Sequence, residues 1–128
     1  RAIQFFSPGT PQIYYGGLFS LKNDVELLSQ TNVGRDINRP YLNRTDIHQA
    51  LAKPVTQALI KLIHIRNQHD AFNGKFSFDS QGSQLTMLWQ NNVETARLSI
   101  DFISRKASIS LCHSNIEENI DLSSLLKT

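Results

Sequence analysis

The sequence holds one cysteine, Cys112, so the chain cannot close a disulfide on itself. Such sparing cysteine use is what a reducing cytoplasm favours, and the cytoplasm is the expected compartment. No apolar run approaches the length of a bilayer span, and neither a secretory signal nor a lipidation motif is present. A membrane is therefore not an expected partner. Basic residues outnumber acidic ones only 13 to 11 and are scattered; without a basic stripe, nucleic acid is not an expected partner either. There is no glycine-rich phosphate loop, and no serine sits in a nucleophile elbow.

The residues that could carry chemistry are equally sparse. His48, His64, His69 and His113 lack metal-ligand spacing, and the five-residue step from His64 to His69 puts them on different helix faces. Cys112 and His113 are neighbours on an expected strand and so point to opposite sides. Asp24 with Glu26 suits the start of a helix, where the macrodipole favours acids, and Glu117 with Glu118 suits a solvated turn. From the residues themselves, no catalytic set, metal site or cofactor site is expected.

What remains is globular: 128 residues, 40% apolar and 19% charged, enough for one ordinary domain. Ala2-Ile3-Gln4-Phe5-Phe6 is a short apolar run that fits a strand covered on both faces. Asn23, with Glu26 three positions on, fits the opening of a helix that ends near Gln30. Thr45 is a good N-cap for a short helix through Leu51. Pro54 can open the next helix without losing a hydrogen bond. Val55, Ala58, Leu59, Leu62, Ile63 and Arg66 then keep the three-and-four spacing of one face to about Gln68.

Beyond Gly74 the period falls to two. Phe76 and Phe78, then Leu85, Met87 and Trp89, then Ala96, Leu98, Ile100 and Phe102, then Ile109 and Leu111 alternate with mostly polar residues. Residues 75–112 read as an antiparallel meander, with Asn91-Asn92 as one turn. Ile120 and Leu122 suit a further edge strand, and Leu125-Leu126 a terminal hook. Residues 1–72 and 73–128 are the expected units.

Between these parts lies Asn32-Val33-Gly34-Arg35-Asp36-Ile37-Asn38-Arg39-Pro40. Two arginines and an aspartate between a glycine and a proline have neither helical nor strand period and mark a shaped loop. One reading is a solvated connection; the other is a binding loop held by a scaffold.

The segment Pro8-Gly9-Thr10-Pro11-Gln12-Ile13-Tyr14-Tyr15-Gly16 resembles one found at the last barrel strand of α-amylase-type glycoside hydrolases. Lys22-Asn23-Asp24-Val25-Glu26-Leu27-Leu28, Gly34-Arg35-Asp36-Ile37-Asn38-Arg39-Pro40-Tyr41, Lys53-Pro54-Val55 and Ile65-Arg66-Asn67 with Ala71-Phe72 narrow the likeness to the sucrose phosphorylase branch. The resemblance implies an α+β chain: the last strand and helices of a (β/α)8 barrel, followed by a small antiparallel β domain. It implies reversible phosphorolysis of an α-glucoside (sucrose, glucosylglycerate or a sucrose phosphate) to glucose 1-phosphate, with a sugar as ligand and inorganic phosphate as co-substrate. The family's nucleophile and acid/base would lie upstream of Arg1, leaving this chain inactive alone. Arg35 matches the arginine that closes the glucose pocket, while Asp36 and Arg39 fit a loop-shaping role. Gly17-Leu18-Phe19-Ser20 and Pro40 depart from the sucrose phosphorylase pattern, which bears on the acceptor. A non-catalytic carbohydrate-binding or assembly module is the alternative reading. A barrel-facing surface, the run at Ile3–Phe6 and the face from Val55 to Ile63, is expected to join copies into a homo-oligomer.

Overall fold

Five α-helices precede a five-stranded sheet in the computed structural model, which describes residues Arg1–Lys127. The helices are α1 (Ala2–Phe6), α2 (Tyr15–Leu18), α3 (Val25–Thr31), α4 (Arg44–Leu51) and α5 (Pro54–Gln68). The strands are β1 (Lys75–Gln81), β2 (Gln84–Asn91), β3 (Glu94–Asp101), β4 (Lys106–His113) and β5 (Ile116–Asp121). All neighbours pair antiparallel, in the order β1-β2-β3-β4-β5. The fold is thus a mixed α/β chain ending in an antiparallel meander.

The first segment corrects the sequence reading. Ala2–Phe6 is a helix, not a strand, and no strand precedes Lys75 among the described residues. Its apolar members Ala2, Phe5 and Phe6 are three and four apart, which is a helix face as well as part of a continuous run. The Phe5 N–H donates to the Arg1 carbonyl at 3.0 Å and the Ser7 N–H to that of Ile3 at 2.9 Å. Backbone groups are thereby satisfied without a neighbouring strand. Phe5 and Phe6 are 3% and 1% exposed, so the end of this run is core rather than an open edge, while Ile3 is 40% exposed.

Two helix starts lie beside the expected ones. Asp24, not Asn23, caps α3, its carboxylate accepting from the Leu27 N–H at 2.8 Å. Asn43, not Thr45, caps α4 in a capping box with Asp46. Pro54 does open α5. That helix buries Thr56, Ala58, Leu59 and Leu62, whereas Val55 is left exposed. With Leu59 and Leu62 buried in the chain's own core, the face expected to join copies is largely covered from within.

Register aligns the inner face of the sheet row by row. Phe76, Trp89, Ala96 and Leu111 form one row; Phe78, Met87, Leu98, Ile109 and Ile120 form the next. Together with Phe5, Phe6, Leu59, Leu62 and Leu125 most of these make one buried cluster. Ile120 sits in β5 as the fifth strand, and Leu125 tucks in from a final 3-10 turn. The β2–β3 turn is Asn92-Val93, one residue later than expected, with Asn92 at φ 53°. Phe102 is not a sheet residue: β3 stops at Asp101, whose carboxylate accepts from the Ile103 N–H at 2.9 Å, and Phe102 is 56% exposed.

A three-part joint fastens helices to sheet. The Trp89 indole N–H donates to the Phe6 carbonyl at 2.7 Å. The Arg66 guanidinium lies over the rings of Phe72 and Trp89, at 4.5 and 4.7 Å, and donates to the Gly9 carbonyl at 2.9 Å. Burial pulls the Arg66 pKa down, and cation–π contact offsets part of that desolvation.

Candidate functional site

The Arg35 loop is built as a short 3-10 turn, Gly34–Asn38, between α3 and α4. Asn32 ends α3 in the left-handed conformation at φ 54°, a C-cap geometry that asparagine tolerates. The Asp36 N–H then donates to the Val33 carbonyl at 2.9 Å, and the Arg39 N–H to that of Asp36 at 3.2 Å. The Asp24 N–H donates to the Ile37 carbonyl at 2.6 Å, tying the middle of the loop to the start of α3.

A second set of anchors comes from the segment before α2. The Tyr15 hydroxyl donates to the Pro40 carbonyl at 3.3 Å. Arg39 lies 5.8 Å from the centre of the Tyr14 ring, and the Tyr14 and Tyr15 rings are 4.4 Å apart. Gly16 lets the two backbones close: a Cβ there would stand 3.2 Å from the Asn38 carbonyl oxygen. Lys53 fixes the chain after α2 by donating to the Phe19 and Ser20 carbonyls at 3.1 and 3.4 Å. Loss of surrounding water, and then the neighbouring Tyr15, hold the Tyr14 hydroxyl above its usual pKa.

Within this frame the two arginines differ. Arg39 is occupied with Tyr14. The Arg35 side chain is exposed and makes no hydrogen bond, ion pair or ring contact with the described residues, so its fork of N–H donors is open to solvent. The loop thus presents the Arg35 cation to solvent, and the two tyrosines that anchor the loop's far end, at Arg39 and Pro40, are themselves 43% and 37% accessible. Such a group can take hydroxyls, carboxylates or phosphates.

Other candidates sit elsewhere. His48 and His64 are exposed on α4 and α5. Among the described residues, no three His, Cys, Asp or Glu side chains gather as a metal would need. Asp24 spends its carboxylate on the α3 cap, and Glu117 takes a hydrogen bond from Ser110 at 3.2 Å. One cluster was not visible in the sequence: Glu94 contacts His113 Nδ1 at 2.8 Å, and His69 stacks edge-on to His113 at 6.2 Å. It joins two hairpin turns to the end of α5. Open grooves of about 630 and 810 Å³ lie along α5 near Leu125 and at the far end of the sheet, both away from Arg35. No helix among the described residues is long and apolar enough to cross a membrane.

No family model matches the chain. It is 50% identical over 111 residues to the sucrose phosphorylase of Agrobacterium vitis, a match covering 85% of this chain and 22% of that protein. It is 42% identical over 102 residues to the glucosylglycerol phosphorylase of Marinobacter adhaerens, covering 79% and 21%. The crystal structure of sucrose 6F-phosphate phosphorylase from Thermoanaerobacter thermosaccharolyticum superposes on 94% of this chain and 25% of that one, with a TM-score of 0.89 at 37% identity. The chain spans about a fifth to a quarter of the length of these relatives. The chain belongs to the sucrose phosphorylase family and corresponds to the C-terminal part of its members.

Proposed function

We propose that this chain is the sugar-holding C-terminal part of a retaining α-glucoside phosphorylase, which moves a glucosyl unit between a glucoside and inorganic phosphate. Retention calls for two displacements, with one carboxylate as nucleophile and a second as acid/base about 5 Å away. Asp24 is committed to a helix cap, and Asp101 and Asp121, which line the groove at the far end of the sheet, are held by the amides of the turns that follow them. The two carboxylates belong to other parts of the enzyme, carried on a (β/α)8 barrel that these helices complete. Phosphate enters as co-substrate, with no further cofactor, and the enzyme works in the cytoplasm.

The observation that carries this reading is Arg35: a free guanidinium on a loop pinned from both sides by Asp24, Tyr14 and Tyr15. A hydroxyl-rich ring suits several directed donors held in one plane. Sucrose, a phosphorylated sucrose and a glucosylated glycerol or glycerate are the donors considered, in keeping with the names of the relatives.

The test has two arms. A coupled assay for glucose 1-phosphate, with sucrose or glucosylglycerate plus phosphate, should give no turnover with the 128-residue chain; turnover above blank refutes the assignment of the carboxylates. In the full-length enzyme, Arg35→Ala should cut kcat/KM about 100-fold or more while leaving the fold intact. Saturable binding of glucose to the isolated chain, followed by chemical shifts around Arg35 and lost in Arg35→Ala, would favour the non-catalytic module instead.

A further inference from the structure

The two edges of the sheet are unlike. Edge strand β5 carries Glu117, Glu118 and Asp121, and a second copy laid against it would meet like charges. Edge strand β1 reads Lys75-Phe76-Ser77-Phe78-Asp79-Ser80-Gln81, with one cation and one anion at matched distances from Ser77. All of its residues except Phe76 are exposed, including Phe78 at 69%.

Register settles which backbone groups are free. The turn Gly82-Ser83 is flanked by the pair Gln81 and Gln84, followed by Asp79 with Thr86 and Ser77 with Leu88. The pair flanking a two-residue hairpin turn is hydrogen-bonded, and bonded pairs recur every second residue. Lys75, Ser77, Asp79 and Gln81 therefore spend their N–H and C=O groups on β2. Phe76, Phe78 and Ser80 direct theirs outward.

We propose that β1 pairs antiparallel with β1 of a second copy of this chain, about a two-fold axis at Ser77, joining two five-stranded sheets into one of ten. About that axis Phe76 stands across from the partner's Phe78, and both have outward-facing backbone groups. Lys75 stands across from the partner's Asp79, and each contact occurs twice, as isologous symmetry requires. On the inner face, Phe76 already stacks on Phe78 at 6.3 Å and touches Trp89 at 5.1 Å, so the partner's Phe78 extends an existing aromatic row. On the outer face two ion pairs flank two serines. Moving the axis one residue either way, onto Phe76 or Phe78, forfeits both Lys75–Asp79 pairs, and moving it two sets Lys75 or Asp79 against its own copy, so charge favours the register centred on Ser77. This interface replaces the helical surface that the sequence alone had suggested.

Sedimentation velocity on the 128-residue chain should show a concentration-dependent dimer. Asp79→Lys and Lys75→Asp should each raise the dimer dissociation constant about tenfold, because attraction becomes repulsion at two symmetric pairs. The double variant Lys75→Asp/Asp79→Lys should recover most of the loss. Independently, Ser77→Cys in a Cys112→Ser background should oxidise to a covalent dimer, since facing residues of a non-hydrogen-bonded pair lie within disulfide reach. Asp79→Cys in that background should not. A monomer at about 100 µM, a dimer indifferent to the single charge swaps, or a double variant no better than the singles overturns the proposal.

Discussion

The indole N–H of Trp89 and the carbonyl of Phe6 meet at 2.7 Å across a separation of 83 residues. Both residues are buried, and this bond fastens the first helix to the second strand of the sheet. Trp89→Phe deletes the donor and leaves a buried carbonyl without a partner, which costs about 1–3 kcal/mol. The smaller ring also loosens the stack on Arg66 and Phe76. Urea denaturation should show a loss of about 2–4 kcal/mol. A loss under about 0.5 kcal/mol would mean that the joint contributes little to folding.

Two glycines should respond differently to alanine, for different reasons. A Cβ on Gly74 would lie 1.9 Å from the Gln90 carbonyl oxygen and 2.7 Å from the Asn91 nitrogen, both backbone atoms of β2. Neither can swing aside, so Gly74→Ala should separate the start of β1 from β2 and cost about 3 kcal/mol or more. Gly82 has open space around it but sits at φ +58°. Gly82→Ala should cost only about 1–2 kcal/mol, the strain of a left-handed alanine. Thermal denaturation of the two variants ranks them; equal losses would contradict the steric account of Gly74.

What could be read from the chain follows the range of the forces involved. The helix from Pro54 and the alternation from Phe76 to Leu111 are local patterns that burial reinforces, and both elements formed where expected. Ala2–Phe6 was ambiguous because a five-residue apolar run satisfies either period, and the packing of Phe5 and Phe6 decided it. The caps slipped by a residue or two because Asn23 beside Asp24, and Thr45 near Asn43, offer competing acceptors; the choice depends on which side chain reaches a free amide. Phe102 continued the alternation on paper, yet the Asp101 carboxylate captured the next amides and ended the strand. The loop around Arg35 was marked by its own glycine and proline. Its attachment to Tyr14 and Tyr15 was not, since those contacts span more than 20 residues.

Acid should weaken the end of the sheet where Glu94 sits. Its carboxylate accepts from the Ser114 N–H at 3.1 Å and contacts His113 at 2.8 Å, and these partners, Ser114 first, hold its pKa below the ordinary 4.5. A depressed carboxylate pKa adds stability that is present above the ordinary value and is lost as pH falls through the folded one. Asp101 and Asp121 are depressed as well, each by hydrogen bonds from the turn that follows it. Glu94→Gln should therefore reduce, without abolishing, the fall in stability between pH 7 and about pH 3.5. Denaturation midpoints of both proteins at the two pH values test this. A variant with the full acid sensitivity would remove Glu94 from the account.

The two arginines of the loop offer the sharpest contrast. Arg39 lies over Tyr14, a contact worth about 0.5–1 kcal/mol at an exposed site, and its own N–H closes the 3-10 turn on Asp36. Arg39→Ala should let the loop open more often, seen as faster hydrogen exchange at the Asp36 and Arg39 amides. The Arg35 side chain makes no hydrogen bond, ion pair or ring contact with the described residues, so Arg35→Ala should leave those exchange rates unchanged and the overall stability within about 0.5 kcal/mol of the parent. On the proposed phosphorylase reading, the ranking should reverse for sugar handling in the full-length protein, with Arg35→Ala the more damaging in kcat/KM. If Arg35→Ala instead quickens exchange as much as Arg39→Ala, Arg35 shapes the loop, and its guanidinium is not the group reserved for substrate.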